Sequence, residues 1–247
     1  MASGGAGINH IPNARENTMI GHFNSLGQPR GVIFDLFFTL LKEDFTGPFY
    51  RTMARDLGID AGTFLAAFRS LSRSSMLGEI SSMEERVWKT TRLCDVERDR
   101  DVVREVVARN IELFYSAIEV YNDSASALIR LRKGGIATGI ASNASAHSKA
   151  VLRRSGLDEL VTASVLSYEV RSMKPEPAIY EHICKMIGVT PANCVFVGDG
   201  GDRELEGARA LGMKTILIDR DLSHTDAARP FADLCVRSVA EAVDALL

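Results

Sequence analysis

The stretch GVIFDLFFTL, residues 31–40, decides how this chain is read. It opens as a run of β-branched and large apolar residues, the pattern of a strand buried on both faces of a parallel sheet. A single carboxylate, Asp35, follows that run, and Phe37 stands two residues later. An acid at the end of a buried strand is either a turn residue or a group held for chemistry. Residues i and i+2 of an extended strand share a face, so a molecule reacting at Asp35 is also within reach of position 37.

Similar runs recur downstream. Residues 136–142, 161–167, 193–199, 214–219 and the shorter 234–238 read as further buried strands. Between them, DSASALIRLRKGG, SAHSKAVLRRSG, EPAIYEHICKMIG and ELEGARALG repeat apolar residues at helical spacing and stop at glycine. Alternation of this kind predicts an α/β fold, a Rossmann-like parallel sheet with helices on both faces. The interval between the first two strands is far longer than an ordinary crossover and holds no convincing strand. Its apolar residues have helical periodicity in GPFYRTMARDLG, AGTFLAAFRSLSRSSM, MEERVWKTTRLC and VVREVVARNIELFYSAI. We therefore expect three parts: a flexible N-terminal tail over 1–30, a core domain over 31–43 and 121–247, and a small all-helical cap domain over 44–120. His10 and His22 in the tail read as solvated residues, and hinges are expected near 41–46 and 119–124.

Composition narrows the function. The chain has 247 residues, 46% of them hydrophobic, and a formal net charge of −3. That balance gives no basic footprint for nucleic acid, and no apolar run reaches the roughly 18 residues that a membrane span needs. Cys94, Cys184, Cys194 and Cys235 lack metal-ligand or disulfide-framework spacing. Together with a tail lacking the features of a signal peptide, this implies a cytoplasmic protein with reduced thiols and a small-molecule partner.

In open parallel sheets, ligands bind beyond the carboxyl ends of the strands. Asp35 ends the first strand, Ser142 and Asn143 the second; Lys174 follows the third, and Asp199 ends the fourth with Asp202 and Glu204 close behind. Singly each has an innocent reading as a cap or turn residue. Together they suit attack by an ionised carboxylate on an electrophile carrying negative charge. Lys174, the Ser142 hydroxyl, the backbone of Asn143 and Ala144, and a cation on the Asp35/Asp199 pair offset the repulsion that such attack meets. An all-oxygen donor set favours Mg²⁺ over zinc.

The four motifs VIFDLFFTL, GIASN, MKPEPAIY and FVGDGGDRELEGARALGM resemble, in order, those of the haloacid dehalogenase superfamily, and the match covers most of residues 31–220. The helical interval is similar to the cap that this family inserts after its first strand. The resemblance implies Asp35 as nucleophile and metal ligand, with the Phe37 carbonyl as a second ligand. It implies Ser142 and Asn143 at the transferring group, Lys174 steadying that group and Asp35, and Asp199 with Glu204 on the metal, Asp202 being a nearby alternative.

Phosphatases of the family usually carry a second aspartate where this chain has Phe37. That acid protonates the leaving oxygen, and its loss typically costs about 10²–10⁴ in rate. Three readings follow: a Mg²⁺-dependent phosphatase of a small phosphorylated metabolite; a metal-independent 2-haloacid dehalogenase, whose halide leaves without a proton; and a catalytically impaired relative that binds through its cleft. VGDG favours the first, the aromatic at 37 favours the second, and Tyr180 fits both. Phe38 stands where the family often has glycine, which implies a crowded turn. Arg51, Arg55, Arg69, Arg73 and Lys89 are the cap cations that could reach a carboxylate or phosphate at a substrate's far end, although most of them read as solvated helix faces.

Overall fold

The computed structural model describes residues 29–44, 47–220 and 226–247. Residues 1–28 of the expected tail, with His10 and His22, lie outside the described residues.

Six strands form one sheet: β1 (Gly31–Phe34), β4 (Ala137–Ser142), β5 (Ala163–Leu166), β6 (Cys194–Gly198), β7 (Lys214–Ile218) and β8 (Leu234–Val236). Their order is β5-β4-β1-β6-β7-β8, and every pairing is parallel. Strand β1 is central, pairing with β4 on one side and β6 on the other. Because side chains alternate along a strand, its apolar run feeds two cores. Val32 and Phe34 join one buried cluster with α6 (Ser124–Lys133), α7 (Ser148–Ser155) and α11 (Val239–Asp244). Ile33 joins the other, with α9 (Pro177–Ile187) and α10 (Glu204–Ala210). Helices therefore cover both faces, as the strand pattern predicts.

The interval after β1 is mostly helical, with α1 (Pro48–Leu57), α2 (Ala61–Ser70), α3 (Ser72–Met76), α4 (Met83–Leu93) and α5 (Arg100–Ser116). Local chemistry sets the starts: Pro48 opens α1, Asp60 accepts from the Thr63 N–H at 2.9 Å, and Ser82 accepts from the Glu85 N–H at 3.1 Å. Phe49, Met53, Leu57, Phe64, Val87, Val103 and Phe114 make up its buried interior.

Two features depart from the sequence reading. The interval does contain strands: β2 (Leu41–Glu43) and β3 (Ile118–Val120) pair antiparallel at the stem of the helical insertion, with Glu43 opposite Ile118. At three residues each, they are too short to show alternation. The single helix expected over 61–76 breaks at Leu71 into α2 and α3. There the Phe68 carbonyl accepts from Arg86 Nη2 at 2.9 Å and from the Leu71 N–H at 3.3 Å, a side-chain contact that no local pattern announces.

The stem is tied to the far edge of the sheet by Asp123. Its carboxylate accepts from Arg220 Nη2 at 3.0 Å, and from the N–H groups of Val239 and Ala240 at 2.7 and 3.2 Å at the start of α11. Arg220 also donates to the Thr39 carbonyl at 3.1 Å. Removing the acid leaves a part-buried cation and two N–H groups without that acceptor. We expect Asp123→Ala to lower stability by roughly 2–4 kcal/mol, as read by urea unfolding; a loss within about 0.5 kcal/mol, the usual size for a surface change, would contradict this linkage.

Candidate functional site

The carboxyl ends of β1, β4 and β6 bring together what the sequence spreads over about 170 positions. Asp35 directly follows β1, and its N–H bonds to the Val197 carbonyl at 2.9 Å, fixing the acid against β6. Ser142 ends β4 and is buried at the cavity wall. Lys174 follows β5 through α8 (Ser167–Val170) and is 4% exposed. Its Nζ donates to both Asp35 Oδ1 and Glu204 Oε2.

Asp35, Asp199 and Glu204 each offer a carboxylate oxygen within 4.8 Å of the others. Three acids against one ammonium is an unbalanced set. Burial raises the Asp35 carboxyl above the ordinary carboxylate range; Lys174 pulls it back and Asp199 pushes it further up. Glu204 is raised well above its usual value by burial, with Lys174 opposing and Asp35 and Asp199 reinforcing. Burial alone pulls the Lys174 ammonium down, but Asp35 and Glu204 outweigh it and keep it charged. The residues present fit a hard divalent cation: oxygen donors only, clustered, with excess negative charge. Asp202 is not part of this cluster, so Glu204 is the acid that joins it.

Close packing holds the set. Glu204 Oε1 accepts from the Gly200 N–H at 3.0 Å, and a Cβ at Gly198 would stand 2.0 Å from that same oxygen, so only glycine fits there. Tyr180 is fully buried and donates to the Glu204 carbonyl at 2.7 Å, a packing role for the aromatic after Lys174. Asn143 acts as a tie. Its Oδ1 accepts from the Lys174 N–H at 2.7 Å, and its Nδ2 donates to the Lys174 carbonyl at 3.1 Å and to Asp202 Oδ2 at 2.7 Å. The Ala144 N–H, expected to face a ligand, donates instead to Ser167 Oγ at 3.0 Å.

These strand ends form the floor of a cavity of about 480 Å³, whose other walls come from the stem and the helical insertion. Phe37 lines it and packs on the core; Phe38 also lines it, at a φ of 60°, the left-handed region where glycine is easiest. Of the five cap cations singled out in the sequence, Arg69 alone lines this cavity. Arg55 pairs with Asp56 at 2.9 Å, Lys89 with Glu85 at 3.3 Å, and Arg73 lies 3.7 Å from Glu176.

A second polar group in the cavity escaped sequence reasoning: Glu43, Tyr50, Arg86 and His147. Burial lifts the Glu43 carboxyl to about 7 against pulls from Arg86 and Tyr50. Burial, then Arg86, pushes the His147 imidazole down to about 3, so it is neutral. The one available signal was Arg86 on the face of α4 shared by Met83, Val87 and Thr90, a charge on an otherwise core-facing stripe.

A family model for haloacid dehalogenase-like hydrolases matches residues 29–212. The chain belongs to that family. Among similar proteins are Phosphatase MT3486 of Mycobacterium tuberculosis, 33% identical over 113 residues (44% of this chain and 52% of that protein), and (S)-2-haloacid dehalogenase 4A of Burkholderia cepacia, 31% identical over 107 residues (43% and 46%). These matches span about half the length of the curated relatives. A crystal structure of a HAD phosphatase from Thermococcus onnurineus is 24% identical with a TM-score of 0.66, covering 88% of this chain and 97% of that one, which establishes the shared fold. The family is a hydrolase family, and phosphatases and dehalogenases are both among the relatives.

Glu43 has a measurable pH signature. Its folded value, about 7, lies above the ordinary 4.5, so the native state holds the extra proton between those values and stability falls as pH rises through 7. Glu43→Gln removes that cost. The variant should gain on the order of 1–2 kcal/mol over the parent at pH 8 relative to pH 5, read from chemical unfolding at both pH values. An equal difference at the two pH values would show that Glu43 is not destabilised as a carboxylate.

Proposed function

We propose that the protein is a Mg²⁺-dependent phosphatase of a small phosphorylated metabolite, with Asp35 as nucleophile and the helical insertion acting as a cap. The observation that carries this reading is the three-carboxylate cluster beside Lys174. Asp35, the Phe37 carbonyl, Asp199 and Glu204 would hold the cation. When bound, it supplies charge neutralisation at the phosphoryl oxygens and among the acids themselves.

The chain's own groups do the rest. The Asp35 carboxylate attacks phosphorus, the bond from phosphorus to the ester oxygen breaks, and that oxygen takes a proton from water as it leaves. Water then attacks phosphorus of the aspartyl phosphate, releasing inorganic phosphate and restoring Asp35. Lys174 orients Asp35, and its charge, with the Ser142 hydroxyl, offsets the negative charge gathered at the phosphoryl group. Phe37 can neither give nor take the proton. Substrates whose leaving oxygen needs little protonation should therefore be turned over fastest.

Phe37 favours a second reading, hydrolysis of a 2-haloacid, in which Asp35 attacks carbon and halide departs unprotonated. Against it stands Asp199, since without a cation burial and then the Asp199 charge raise the Asp35 carboxyl, with Lys174 opposing, which disfavours the ionised form a nucleophile needs. The two readings part in one assay: phosphate release from p-nitrophenyl phosphate, whose leaving group bypasses Phe37, with Mg²⁺ or EDTA. The phosphatase reading predicts activity that EDTA abolishes and that falls at least about 10³-fold in Asp35→Asn. Inactivity there, with halide release from a 2-haloacid in EDTA, would replace it.

A further inference from the structure

Arg86 presents a problem that the fold does not solve. It is 6% exposed and lines the cavity from the insertion, yet among the described residues no carboxylate lies within ion-pair distance of it. Its guanidinium is held on one side only. Nε and Nη2 donate to the Phe68 carbonyl at 3.3 and 2.9 Å, Nη2 donates to Ser72 Oγ at 2.7 Å, and the group lies 3.8 Å from the centre of the Phe68 ring. Among the described residues Nη1 has no acceptor. A structural role in closing the break between α2 and α3 is served by Nε and Nη2, and leaves Nη1 unexplained.

We propose that Arg86 recognises a carboxylate on the substrate, held at the insertion wall of the cavity while the scissile group lies at Asp35. A buried arginine, locked by a carbonyl, a hydroxyl and a ring, is preorganised: little side-chain entropy remains to be lost when an anion arrives. With Nε and Nη2 occupied, Nη1 is the donor left for a carboxylate oxygen, a charge-assisted bond. The surroundings suit such a guest. The one acid facing Arg86, Glu43, is a weak standing rival because it is half-protonated near neutral pH and its carboxylate is already served by the Tyr50 hydroxyl, and His147 is neutral, so it adds no charge of its own. Arg69 stands at the same wall, so the entrance carries positive charge.

This inference rests on the phosphatase reading for the other end of the substrate, and the test keeps the two apart. Binding of 4-phosphonobutanoate and of its neutral partner 4-phosphonobutanamide, neither hydrolysable, is measured by calorimetry on the Mg²⁺-loaded full chain. The carboxylate should bind about 10- to 100-fold more tightly, the range of one charge-assisted pair. Arg86→Gln should bring the ratio to near one, and Arg86→Lys, which keeps the charge but not the anchoring to Phe68 and Ser72 that positions Nη1, should leave an intermediate ratio. Equal binding of the pair to the parent protein overturns the assignment even if the variants fail to fold. So does undetectable binding of the carboxylate compound, or a preference that survives Arg86→Gln. Mg²⁺-dependent phosphate release from p-nitrophenyl phosphate, whose leaving group needs little protonation, reads the other claim: discrimination in binding without that hydrolysis contradicts the phosphatase reading and leaves the carboxylate site standing.

Discussion

The buried ammonium of Lys174 is the interaction on which the rest of the site depends. It is sealed from solvent between Asp35 and Glu204, so each acid is held where the charge can reach it. Removing Lys174 leaves buried carboxylates uncompensated, among the costlier changes a protein can suffer. Much nearby structure exists to hold this contact in place. Asn143 clamps the Lys174 backbone from both sides, Tyr180 holds the Glu204 carbonyl, and Gly198 leaves the room that the Glu204 carboxylate fills. The site sits where β1 meets β4 and β6, the point at which the parallel sheet leaves a crevice beyond its strand ends.

Lys174 does not balance the charge it gathers. With Asp199 included, three carboxylates face one ammonium, and the raised values of Asp35 and Glu204 measure the strain. A divalent cation would offset that excess charge and favour the ionised form of Asp35 that a nucleophile needs. At the other end of the cavity the imbalance is reversed, because Arg86 is buried without a close carboxylate. The cavity is thus built with opposite needs at its two ends, an arrangement suited to one small molecule carrying two anionic groups. Phe37 between them supplies surface but no proton, which shifts the burden of catalysis onto the leaving group.

Much of this was legible in the sequence. All six strands of the main sheet were visible as short β-branched runs, because parallel strands buried on both faces must be apolar throughout. Asp35, Ser142, Lys174, Asp199 and Glu204 were legible because each follows a strand in the order that a parallel sheet turns into adjacency. The small ribbon of Leu41–Glu43 and Ile118–Val120 was not, since three residues carry no period. Nor was the break at Leu71, which depends on Arg86 reaching across from another helix. Arg86 itself looked like one charge among many on amphipathic helices; the more exposed Arg51, Arg55 and Arg73 drew attention instead, because pattern shows which face a residue shares but not which wall of a cavity it joins. Asn143 and Ala144 line the cavity, yet the Asn143 side chain and the Ala144 N–H bond to the protein rather than being offered to a ligand.

The central claim, that the acids around Lys174 form a cation site, is tested most directly by titrating Mg²⁺ into the protein and into Asp199→Asn, with binding read by calorimetry in the absence of any substrate. The account predicts saturable binding of one equivalent that weakens at least about tenfold in the variant, the size of effect expected when one charged ligand is lost. No saturable binding, or equal binding by both proteins, would contradict it.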